Sequence, residues 1–234
     1  MRDLRAWVTA LFMVSDLERL APGFVVAAPS LDDPNFDHTV VLLCAHSDQG
    51  AMGIVINRQA PISLNEIMHQ LDLAPQSMDP RSALFGGPVA PQHALLLYQH
   101  DEDRGVDTDG SDKHAEDRDE NDSPESSDEA PQNQRPPVSG DHEIEVGPRL
   151  RLSPGREILR AMAQGEGPHR VHLFLGHAGW APGQLEHEIA QGAWIPIDLN
   201  LDLIFDVPLA DRWEQSLRQN GLRLAGLSTY TPQS

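Results

Sequence analysis

"FLGHAGWAPGQLEHEI", residues 174–189, carries a change of backbone period within a short span. An apolar strand end closes on Gly176, and Gly179 and Gly183 frame Trp180. From Pro182 a helical pattern takes over, with Leu185 and Ile189 on one face and Gln184 and Glu188 on another. A strand, a glycine-permitted junction and a helix therefore follow each other directly. The residues of the junction admit two meanings. Packing explains them if Trp180 covers the sheet while the glycines permit the turn. A binding site would instead use His177, Trp180, Gln184 and Glu188 beside the free N–H groups of the helix start. The order G-x-x-G-x-x-x-G matches neither a dinucleotide fingerprint nor a phosphate loop, so packing is the preferred explanation.

Outward from this junction the chain alternates unevenly between the two periods. "GFVVAAPSL", "TVVLLCAHS", "AMGIVINR", "ALFGGPVA", "HALLLYQH", "HEIEVGPRLRLS" and "HRVHLFLG" read as strands, most of them rich in valine and leucine. "AWIPIDL" and "DLIFDV" read as extended, and the Gly-Gly-Pro of "ALFGGPVA" as a turn. "SLNEIMHQLDL" opens with Ser63 and Glu66 in capping-box spacing, which predicts a helix. "SPGREILRAMAQG" predicts another, with Ser153 as cap and Pro154 in the first turn, and "PLADRWEQSLRQNG" a last one. Strands in consecutive runs with helices inserted singly predict an α+β fold.

Charge divides the chain. Of the net −19, −13 falls within residues 101–145, which hold 17 Asp or Glu against four Lys or Arg. Residues 101–142 also lack aromatic and almost all aliphatic side chains, so the expectation is a disordered acidic insert, a solvated tether between two strands. Residues 20–222 then form one interrupted domain, 1–19 a frayed or amphipathic leader in which Met13 is an alternative start, and 223–234 a tail. The apolar run in the leader is too short to span a bilayer and no cleavage site follows it, so neither a membrane anchor nor a signal peptide is expected. A single cysteine excludes an internal disulfide and suits a reducing cytoplasm. The only lysine, Lys113, lies in the insert, which removes a Schiff-base or phosphate-loop lysine from the ordered part.

Other candidate chemistry is sparse. Cys44 and His46, two apart on a strand, are expected on one face, where a protonated imidazole would activate an exposed thiol. A buried structural cysteine is the plainer reading within "VVLLC". Gly86 and Gly87 offer an anion turn or a plain connector. The eleven histidines show no metal-binding spacing, so neither metal nor cofactor is expected. No serine-hydrolase elbow occurs.

Four stretches taken in order, "LDDPNFDHTVVLLCAHSDQGAMGIVINR", "LFGGPV", "GHAGWAPGQLEHEIAQGAW" and "LIFDVPLADRW", resemble the YqgE/AlgH family of bacterial proteins. The resemblance covers nearly everything from Leu20 to Leu222 and leaves out the leader and the insert. It implies a cytosolic α+β protein whose mixed, bent sheet forms a partly closed, barrel-like body with several packed helices. It also brings a label of transcriptional regulator, linked in one branch to alginate synthesis, and no catalytic residues. His38 and His177 depart from the arginine and the aromatic that the family pattern suggests.

The expectation is therefore a non-enzymatic regulatory or interaction protein, working through a groove near the Gly-Trp junction on an unidentified protein partner or small ligand. The mildly acidic ordered part and the absence of a helix-turn-helix pattern argue against direct nucleic-acid binding. The competing expectation is an enzyme or thiol-redox protein using Cys44 and His46, or a pocket near His177, Trp180 and Gln184. The binding candidates are thus Cys44, His46, Gly86, Gly87, Gly176, His177, Gly179, Trp180, Gln184 and Glu188.

Overall fold

Strands that are apolar on both faces need cover on both sides. In the computed structural model, which describes residues 20–76, 79–100 and 143–221, they receive it from helices. The strands are β1 (Gly23–Ala27), β2 (Val40–Ser47), β3 (Gly50–Val55), β4 (Gln59–Ser63), β5 (Ser82–Phe85), β6 (Val89–Gln99), β7 (Ile144–Gly147), β8 (Leu150–Ser153), β9 (Val171–Trp180) and β10 (Trp194–Asp198). The helices are α1 (Leu64–Gln70), α2 (Arg156–Ala163), α3 (Gln184–Ala190), α4 (Leu201–Phe205) and α5 (Arg212–Gln219), with a 3-10 turn at Leu209–Asp211. The α+β expectation thus holds. The leader, the insert and the tail lie outside the described residues.

The sheet runs β10-β1-β2-β3-β9-β6-β8-β7. Its strands pair antiparallel except β5, which runs parallel to β9 on the edge that β3 also uses, with β4 beyond it. One face buries Phe24, Leu42, Ile54, Leu97, Leu152 and Phe174 against Leu203 and Ile204 of α4 and Leu217 of α5. The opposite face is covered in two patches. Leu185 and Ile189 of α3 pack with Trp180 and Trp194 over β1–β3, and α1 and α2 pack over β6 and β9.

The barrel-like closure is not found. Among the described residues β10 pairs only with β1 and β7 only with β8, so the ladder they form is not closed. Curling brings the ends near each other through side chains, since a Cβ on Gly147 would stand 3.2 Å from Pro22 and Leu199. Proline in β10 (Pro196) and in the outlying β4 (Pro61) removes a donor from each of these edge strands and discourages further pairing.

Local chemistry explains where the elements depart from the sequence reading. The capping box at Ser63 is present, with Glu66 returning to the Ser63 N–H at 2.7 Å. Helix α2 instead begins after Gly155 in the left-handed region, because Ser153 still belongs to β8. "DLIFDV" turns helical as α4 because the Asn200 side chain accepts the Asp202 N–H at 2.9 Å. Finally, β6 and β7 both run antiparallel to β8, which lies between them, so they are parallel to one another. The two strands that precede and follow residues 101–142 are therefore parallel and non-adjacent.

Candidate functional site

Trp180 ends β9 and Gln184 opens α3, so the quoted junction lies where the sheet hands over to the helix. Glu188, one turn into α3, accepts the indole N–H of Trp180 at 3.0 Å and that of Trp194 at 2.8 Å, both on Oε2. Its Oε1 accepts the Gln184 side-chain amide at 2.9 Å, and Gln184 in turn accepts the Ala181 N–H. Phe36 completes the group, 6.2 Å from Trp180 and 5.5 Å edge-on from Trp194. Both indoles are buried, and each half of this cluster satisfies the other. Helix α3 is only seven residues long and starts after Gly183, which supplies no side-chain cap.

Gly86, Gly87 and Gly176 do something the sequence reading missed. β5 and β6 flank β9 on opposite edges, so the chain between them must cross the β9 backbone. It crosses at Gly176 and His177. A Cβ on Gly86 would lie 2.2 Å from the Gly176 carbonyl oxygen, one on Gly87 2.3 Å from that of His177, and one on Gly176 2.4 Å from that of Gly87. These three glycines are the two halves of one backbone crossing; Gly86–Pro88 join β5 to β6 as the plain connector expected, and the crossing of β9 is what the sequence reading lacked. Beyond it the register jumps from Val89↔His177 to Ala94↔Leu175, which pushes residues 90–93 out of the ladder. Val89 is left 43% exposed beside exposed Gly179, and His177 is half-buried. Burial, with the nearby His93 charge, holds the His177 pKa below the ordinary histidine value.

Cys44 and His46 do not share a face. The pairing of β2 with β3 shifts between Leu43 and Ala45, so Cys44 is an unpaired bulge residue. It turns into the core with Leu42 and Ile54. His46 turns the other way, under α3, where its Nε2 donates to Glu186 Oε1 at 2.7 Å. Its Nδ1 is buried without a partner. The thiol is buried and pushed up to about 12 by desolvation, the opposite of activation. The shared face expected for Cys44 and His46 is thereby overturned, with one inserted residue as the cause, and the cysteine is buried as the plainer reading had it.

Sequence reasoning also missed a set of polar clamps, one of them fully buried. Arg212 is 3% exposed, donating Nε to the Val207 carbonyl and Nη1 to that of Ile56. Desolvation lowers its pKa to about 10. Asn57 and Arg58 hold the 33–40 segment through the carbonyls of His38, Pro34 and Asp37 and the Val40 N–H. His172 donates to the Ile204 carbonyl at 3.0 Å and stacks on Phe205 at 5.4 Å. The helical spacing of Arg212, Ser216 and Leu217 was the only available signal, since it puts an arginine on the buried face of α5.

Among the described residues no group of three or more His, Cys, Asp or Glu side chains is gathered to hold a metal ion, and no helix is long and apolar enough to cross a membrane. Two surface concavities, of about 320 and 450 Å³, lie by His100 and Arg170 and at the start of α2, away from every candidate above.

A family model described as AlgH-like matches residues 24–225. Curated relatives named UPF0301 protein include one from Anaeromyxobacter dehalogenans, 37% identical over 88% of this chain and 91% of its own length. Another, from Xanthomonas campestris, is 31% identical over 91% and 95%. The solution structure of the AlgH protein from Pseudomonas aeruginosa is similar at a TM-score of 0.61 and 28% identity, covering 95% of this chain and all of that one. A crystal structure of a Corynebacterium diphtheriae protein, 23% identical with a TM-score of 0.59, covers 90% and 92% and shares the fold.

Proposed function

The chain belongs to the AlgH-like family, and from that premise we propose that it is a non-enzymatic regulatory or interaction protein. One observation supports this above the rest: among the described residues, the thiol, His46 and the Gln184–Glu188 pair of the junction are held in contacts of the fold itself. Glu188 holds two indoles and Gln184, Cys44 is a buried bulge residue, and His46 pairs with Glu186 on the opposite face from the thiol. The working surface is then the exposed ground beside the junction, namely residues 89–93, Gly179 and the open edge of His177.

Regulation by this protein is indirect. A net charge of −19, with an acidic remainder even outside the insert, disfavours gripping phosphates. Its place is the cytoplasm, and its partner is a protein or a small ligand. Val89→Asp and His93→Ala, placed on the exposed segment, test the proposal in a strain lacking the gene. Folded variants that fail to complement support it; full complementation by both would remove this surface from the account.

A further inference from the structure

We draw no further inference here: the strongest candidate, the buried and unpartnered Nδ1 of His46 where β2 passes beneath α3, belongs to the site already described, and no second ligating group gathers with it among the described residues.

Discussion

Trp180 and Trp194 come from different strands and donate to the same carboxylate oxygen of Glu188, at 3.0 and 2.8 Å. One side chain thereby ties the end of β9, the start of β10 and helix α3 into a single unit. Trp180→Ala is expected to cost about 3–5 kcal/mol, the range for deleting a large buried aromatic. Glu188→Ala leaves two buried indole donors unpaired and should cost about 2–4 kcal/mol, whereas Glu188→Gln keeps an acceptor and costs less. Urea denaturation of the three variants checks the order.

The backbone crossing makes a sharper distinction among glycines of one motif. Gly87 and Gly176 have φ of +148° and +72°, and an added Cβ would meet backbone atoms within 2.5 Å. Gly87→Ala and Gly176→Ala should lose at least about 3 kcal/mol through combined strain and overpacking, or fail to fold. Gly179, whose Cβ would find only the Val89 side chain at 4.0 Å, should accept alanine with a change under about 1 kcal/mol. Equal losses at all three positions would contradict the crossing.

Stability should fall on mild acidification, and His172 is the reason. Its pKa is lowered from 6.5 to about 4, mainly by burial, with the Arg212 charge adding to it. The folded value lies below the unfolded one, so the contribution is complete above about pH 6.5 and is lost as pH falls toward 4. The loss should be on the order of 3 kcal/mol. His172→Phe keeps the stack on Phe205 without a titrating group, and its stability profile should be flatter across that window in denaturant titrations at stepped pH.

Replacing residues 101–142 tests the strand order β6-β8-β7. Because β6 and β7 are parallel with β8 between them, a two-residue turn cannot join them. A Gly-Ser linker of about 12 residues should leave the protein as stable or up to about 1 kcal/mol more so, since the closed loop is shorter. A two-residue linker should unfold it. If both linkers were tolerated alike, the strand order would be wrong.

Much of the fold was legible because burial on both sheet faces writes long apolar runs, as in β1 and β2, and because Ser63 and Glu66 announce a helix start. The five residues of α4 show too little of a period to differ from an extended segment in the sequence, and only the Asn200 cap separates helix from strand. The candidate site was legible as a set of residues and not as an arrangement. Nothing local reveals that Gly86 meets Gly176, or that His46 finds Glu186 140 positions away. Likewise a one-residue bulge at Cys44 inverts the facing of the residues after it, His46 among them, while Val40 to Cys44 keep the alternation of β2.

The central claim is that the chemistry-bearing residues are architecture, and Cys44→Ala in a strain lacking the gene tests it most directly. The account predicts a folded variant, modestly less stable, that complements fully at matched expression. A variant that folds as well as the parent yet fails to complement would contradict it, because a thiol buried in the core would then be needed for function.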